Sequence, residues 1–403
     1  MSSTPRRLSW DILRVVLVLL VVLYHATWIG PHVYRDLIPR NLFFAHQVGA
    51  SLLLVLSAFF VAASLRPGGA ATASRGAAAR WWWSRIARLV PPFVVATVVA
   101  WWVLRHLAPP GWFLPTRHDL LWNLLMLWNV NGAWHVDYVD GSHWTVPVQL
   151  LVFCLAALLA RTRIVRGVPL RVVLWAAVLG GLALWPVEQA HLGTVVESLY
   201  NGVAVHRWHL VVAGIVVWML GARRLGRRHG AALLALCVLA HAVQTSFDEG
   251  AGGRATDLVA DAGVGLGLLV LLAAACGPDW RRGVPAPVAR AVSWLAGISY
   301  GVFLVHQTVG YVVMVRLQEL GVGPTLQTGA MVAVGVLGGW ALTGAVERPA
   351  TALLLDAWDR TWDRAGVAYA RADTPTTSGF SSADPDPEPD PEPAGTGWSV
   401  SRS

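Results

Sequence analysis

The stretch Asp11-Ile-Leu-Arg14-Val-Val-Leu-Val-Leu-Leu-Val-Val-Leu-Tyr24-His25-Ala-Thr-Trp28-Ile29 decides the fold. As one helix, this mostly apolar run reaches across the roughly 30 Å hydrocarbon core of a bilayer. Nine more apolar runs follow it, at 43–65, 88–106, 144–160, 170–188, 207–222, 231–246, 257–276, 294–316 and 326–346. A piece at 119–130 is too short to span and reads as a re-entrant or interfacial helix. Apolar residues fill 55% of the 403 positions and charged residues only 13%, about half the roughly 25% of soluble domains. One soluble core cannot hide so much apolar surface, and a disordered chain is polar. The expected fold is all-α: a polytopic membrane helix bundle of about ten transmembrane helices.

Loop charges fix the expected orientation. The net charge is +8, and every Lys/Arg position is Arg. With the N-terminus inside, the inner segments hold eighteen arginines and the outer segments seven. One missed span would invert every later loop, so this regularity supports ten spans with both termini cytoplasmic in the cell membrane. The basic surplus is then a topology signal, and no nucleic-acid partner is expected. Arg6 and Arg7 before an apolar run resemble a signal peptide, but no small-x-small cleavage site follows. Residues 1–365 are expected to form the membrane domain. Residues 366–403, with Asp-Pro-Asp-Pro-Glu-Pro repeats of Pro and acid, are expected to form a disordered cytoplasmic tail. Cys154, Cys237 and Cys276 lie in apolar runs and read as small core residues. No repeat of 20 to 50 residues is visible.

Polar residues inside the runs are the functional candidates, because an ionisable group there costs about 2.5–3.5 kcal/mol on insertion scales. Arg14 and His25 are eleven residues apart, which places them on one helix face, about 16 Å apart along the axis. The plain alternative is a snorkelling arginine and an interfacial histidine. Arg85 and Arg88 share a face three residues apart and suit phosphate oxygens, although positive-inside anchoring accounts for them as well. Ser299 and His306 also share a face. His135, Asp137, Asp140 and His143 precede the fourth run, where Trp144 and Gln149 stand. Their spacing matches no standard metal site, so no metal is expected, and a polar acceptor suits that loop. Glu347-Arg348-Pro349 reads as structural, with Pro349 ending the helix.

In order along the chain, these residues resemble the acyltransferase-3 family of ten-span membrane acyltransferases. The landmarks are Asp11-Ile-Leu-Arg14 with His25; Gly49 through Ser57-Ala58-Phe59; Arg85-x-x-Arg88-x-x-Pro91; Trp144-Thr145 with Gln149; and Ser299-Tyr300-Gly301 with His306, closed by Glu347-Arg348-Pro349. Two departures stand out. Gln149 occupies a position where many relatives carry Glu, and Ala58 replaces the usual Gly. An amide cannot take a proton as a carboxylate does.

The resemblance implies acyl transfer from cytoplasmic acyl-CoA to a hydroxyl of an extracytoplasmic saccharide or glycolipid. It implies no permanently bound cofactor. His25 is expected as general base with Arg14 as partner, and Arg85 and Arg88 as the CoA phosphate site. Ser57, Trp144, Gln149, Ser299, Tyr300 and His306 are expected at the substrate site or in its support. No Ser or Cys nucleophile stands out, so direct transfer is expected. The competing readings are a transporter or flippase of a lipid-linked saccharide, and a catalytically dead scaffold prompted by Gln149.

Overall fold

The computed structural model describes residues 7–372 except 35–36, 38–46, 74–75, 128–137, 161, 166, 190–199, 201, 245–246, 249–253 and 256. In its described residues, each of the ten apolar runs falls on a helix. In order the helices are α1 (Leu8–Tyr24), α2 (Val48–Ser64), α3 (Ala77–Leu107), the short α4 (Arg117–Leu124), α5 (Thr145–Leu159), α6 (Gly167–Gln189), α7 (Trp208–Gly221), α8 (Arg227–Gln244), α9 (Leu258–Cys276), α10 (Ala286–Glu319), α11 (Pro324–Leu342) and α12 (Arg348–Ala372). A two-residue antiparallel pair, Phe247–Asp248 with Arg254–Ala255, is the only sheet among the described residues. Among the described residues, seven helical segments are long and apolar enough to cross a membrane. Val48–Ser64 and Val205–Gly221 are apolar but shorter. Leu158, Leu266, Leu269 and Leu337 are exposed on the outside of the bundle, as lipid-facing side chains must be. The chain is a polytopic, all-α membrane protein.

Packing ties α10 to α11, α2 to α7, and α1 to both α2 and α10. The largest buried apolar cluster joins Trp10, Leu17, Val55, Val216 and Leu268, and a second joins Val22, Tyr311, Met314 and Met331. Small residues make the closest crossings possible. A Cβ on Gly301 would lie 2.5 Å from the Gly339 carbonyl oxygen, so α10 and α11 touch backbone to backbone. Ala58, where the resemblance leads one to expect Gly, faces Gly214: a Cβ there would lie 2.8 Å from that of Ala58. The bare partner makes room for the extra methyl.

Several helix ends and breaks are completed from far along the chain. Pro91 cannot donate to the Ala87 carbonyl, and Thr351 Oγ1 donates to it instead, at 3.2 Å. The first N–H groups of α1 have no local side-chain cap. Asp279 supplies one, accepting from Leu8 N at 3.2 Å and Ser9 N at 2.9 Å. Partial burial pushes its carboxyl up, but the Ser9 and Leu8 backbone bonds outweigh this and hold it below the usual carboxylate range. Loss of a cap costs about 0.5–2 kcal/mol. Asp279→Ala should therefore lower the thermal midpoint at neutral pH. A depressed carboxylate stabilises above its unfolded pKa, and this is lost as pH falls through the folded value. The gap between variant and wild type should close in acid, and a pH-independent gap would rule the cap out as its source.

Three sequence expectations change. Pro349 does not end its helix. The chain widens into a π-helical turn at Thr343–Glu347, which shifts the carbonyls that the ring would otherwise strike, and α12 continues to Ala372. Residues 366–372 of the expected tail are thus helical, and 373–403 lie outside the described residues. The chain forms one compact unit to Asp356, and residues from Ala357 form another. Cys237 is buried and Cys154 partly so, but Cys276 is exposed, because one side of a spanning helix faces lipid rather than core.

Candidate active site

A cavity of about 690 Å³ opens among α1, α2, α3, α5 and α10. Seven of the residues singled out in the sequence line it: Arg14, Ser57, Arg85, Arg88, Gln149, Ser299 and Tyr300. Arg7 and Arg66 add two more guanidinium groups, against Asp11 as the only lining acid among the described residues. That carboxylate is engaged by Ser293 Oγ at 2.8 Å. The cavity is therefore an anion site by composition, with five forked donors suited to phosphate oxygens.

Neighbouring groups hold the lining in place. Arg88 Nε donates to Glu347 Oε1 at 2.9 Å, and Thr343 Oγ1 donates to Glu347 Oε2 at 3.2 Å. Glu347 is thus a support for the cavity wall. Arg85 lies over the Trp81 ring, 5.5 Å from its centroid, and Arg14 lies 5.8 Å from that of Phe60. The Arg85 Nε is buried with no hydrogen-bond partner among the described residues. Tyr300 donates its hydroxyl to the Leu89 carbonyl at 2.9 Å, bracing α10 against the proline-interrupted α3. Ser299 turns its hydroxyl back to Ala296 O at 2.9 Å.

His25 and His306 do not line the cavity. They meet beyond Phe303, which does and whose ring centroid is 6.0 Å from that of His306. His306 Nε2 is 3.3 Å from His25 Nδ1, and both residues are buried. The carbonyls around them fix the protons. His25 Nδ1 is 2.8 Å from Val21 O, and His306 Nδ1 is 2.8 Å from Phe303 O. A carbonyl only accepts, so both Nδ1 atoms carry hydrogen. The His306 Nε2 lone pair then faces the His25 N–H, and the remaining lone pair of His25 is on Nε2. His25 opens the π-helical turn His25–Ile29, a local widening frequent at functional sites.

The loop before α5 clamps this pair. Of its four potential metal ligands, His135 and Asp137 lie outside the described residues. Asp140 accepts from Ser142 Oγ at 2.6 Å and from Thr308 N at 3.1 Å. His143 Nε2 donates to Leu304 O at 3.0 Å. Leu304 O and Thr308 N bracket the turn of α10 that carries His306, so loop and histidine are mechanically joined. Burial raises the Asp140 carboxyl, but His143 and the Ser142 and Thr308 bonds outweigh it and hold the group below its usual range. Trp144 stands outside the cavity, 4.8 Å beneath the Arg207 guanidinium. Arg207 and Asp279 gave no local sequence signal, and Glu347, read only as structural, gave none of its partner, because each acts on a residue far away in the chain.

No curated protein and no solved structure matches this chain significantly. A family model described as an acyltransferase domain, Acyl_transf_3, matches residues 7–344. That match spans the arginine-lined cavity, the histidine pair and nearly all of the spanning helices, and on it the chain belongs to this family of membrane acyltransferases.

Proposed function

We propose that the enzyme moves a short acyl group from cytoplasmic acyl-CoA to a hydroxyl of an extracytoplasmic saccharide or glycolipid. The observation that carries this reading is a five-arginine cavity with a buried histidine pair just past its wall. The arginines hold the phosphates of CoA, and the pantetheine arm carries the thioester toward Phe303. His25 Nε2 takes the proton of the acceptor hydroxyl as its oxygen attacks the thioester carbonyl carbon. The C–S bond breaks, the ester remains on the acceptor, and the thiolate leaves as CoA-SH after receiving that proton. As His25 gains charge, its Nδ1–H bonds to Val21 O and His306 Nε2 strengthen, which stabilises the transition state. His306 is a positioning residue in this scheme.

The test is mass spectrometry after the purified protein is incubated with acetyl-CoA and the envelope extract of cells lacking it. A new acyl mass on a saccharide or glycolipid is expected. An unmodified extract in the presence of folded protein would favour a flippase or scaffold.

The reading places both termini in the cytoplasm of a cell with the chain in its plasma membrane. In a chain freed of native cysteines, Pro110→Cys should label from outside intact cells. Arg282→Cys should label only after permeabilisation. The reverse pattern would put the arginine cavity on the wrong side for acyl-CoA.

A further inference from the structure

A second set of polar side chains is buried where α7, α8 and α9 meet. His209, His241, Gln244 and Asp261 are each at most 7% exposed. His209 Nδ1 donates to Gln244 Oε1 at 2.8 Å. His209 Nε2 accepts from His241 Nδ1 at 3.0 Å. His241 Nε2 stands 4.0 Å from Asp261 Oδ1. The chemistry described above uses none of these groups. They lie toward the end of the bundle opposite the five cavity arginines: Arg207 immediately precedes α7, Gln244 ends α8, and Asp261 is one turn into α9.

The set is incomplete in a specific way. Among the described residues, neither oxygen of Asp261 has a hydrogen-bond partner, and neither do Gln244 Nε2 and Arg207 Nε and Nη1, though all are buried. Leaving such groups unmet costs about 1–3 kcal/mol each, more when charged. A bound cation would answer only the carboxylate. A bound anion would answer only the donors. Hydroxyl groups donate and accept, so several on one ligand match the mixed set. Gly181 keeps space beside the amide, since a Cβ there would lie 3.1 Å from Gln244 Nε2.

The set also adjoins the reaction centre. Arg207 covers Trp144, whose neighbour Thr145 lines the donor cavity. Arg207 is within electrostatic reach of Tyr24, and the Tyr24 ring is 5.5 Å from that of His25. We propose that Arg207, Gln244 and Asp261, steadied by the His209–His241 pair, form the acceptor subsite and take the hydroxyls of a polyhydroxylated, saccharide-type ligand. This rests on the acceptor half of the proposed function and names the residues that would carry it.

The test uses full-length protein immobilised in detergent and the saccharide and glycolipid extract of cells lacking the protein. Retained species are identified by mass spectrometry, and CoA retention is measured on the same columns. Wild type should retain hydroxyl-rich species. Asp261→Asn and Arg207→Gln should each lose about tenfold or more, as expected for one charged hydrogen bond, with CoA retention unchanged. Gly181→Ala, which displaces only the amide, should give a smaller loss and serves if the others fold poorly. Equal retention by folded variants, or no hydroxyl-rich species on wild type, overturns the subsite. Retention by wild type without acyl transfer from acetyl-CoA would instead sink the proposed reaction and leave the subsite standing.

Discussion

His25→Ala should slow acyl transfer by about 10²- to 10⁴-fold, the usual worth of a general base, while CoA still binds. The two effects separate because His25 lies outside the arginine-lined cavity. Its Nδ1 is committed to Val21 O, which leaves Nε2 to take a proton. His306 sets the other boundary. Its Nε2 faces His25 Nδ1 at 3.3 Å, so His306→Ala removes one of two acceptors for that hydrogen. His306→Gln can still offer a carbonyl oxygen there and should retain more activity than His306→Ala. A base effect and an orienting effect differ in their pH profiles. His306→Gln should shift the pKa of the acidic limb of kcat/KM, where activity falls as the base becomes protonated, whereas His25→Ala should abolish that limb. Near wild-type turnover by folded His25→Ala would remove it as the base and promote His306. Monodispersity must be checked first, because His25 is also part of the buried bundle.

The positions of the helices were legible because a bilayer demands long apolar runs, and each expected run became a helix. The cavity was legible in part. Arg14, Arg85, Arg88, Gln149 and Ser299 were marked by being polar in or beside apolar runs, Ser57 and Tyr300 by the family resemblance, and all of them line it. Helical spacing placed Arg14 and His25 on one face, but spacing along one helix cannot say what stands opposite. Arg14 faces the cavity, whereas His25 meets His306 beyond Phe303. The same limit hid the partners. Glu347 is 259 residues from Arg88, and Asp279 is about as far from the helix start it caps. Pro349 misled because proline normally ends a helix, and a π-helical turn is a tertiary accommodation with no local signature. Asp140 and His143 read as loop polarity because their acceptor and donor are backbone groups of α10, invisible in a side-chain pattern.

A large effect on donor binding should come from Arg88, and Glu347 decides how it must be measured. Arg88→Gln removes a phosphate-binding fork and also strands a carboxylate whose side chain is only 8% exposed. Breaking a fully buried pair costs about 3–5 kcal/mol, and an exposed one about 0–1 kcal/mol. With Arg88 itself 41% exposed, the cost should fall between these. The single variant is therefore expected to lose thermal stability and CoA affinity together, and alone it proves nothing about the donor. Glu347→Gln should lose less stability, because Arg88 can still reach water. The double variant Arg88→Gln/Glu347→Gln removes the stranded charge, and two amides can pair where the ions did. It should recover much of the lost stability, giving a coupling measurable by a double-mutant cycle. CoA affinity should not recover with it. Loss of one charged hydrogen bond, about 1.5–3 kcal/mol, keeps the double variant more than tenfold weaker than wild type. Arg85→Gln, which breaks no ion pair within the described residues, should show the same affinity loss at near wild-type stability. Recovery of CoA affinity along with stability would make Arg88 a structural anchor for Glu347 and leave the donor phosphates to Arg85 and Arg14.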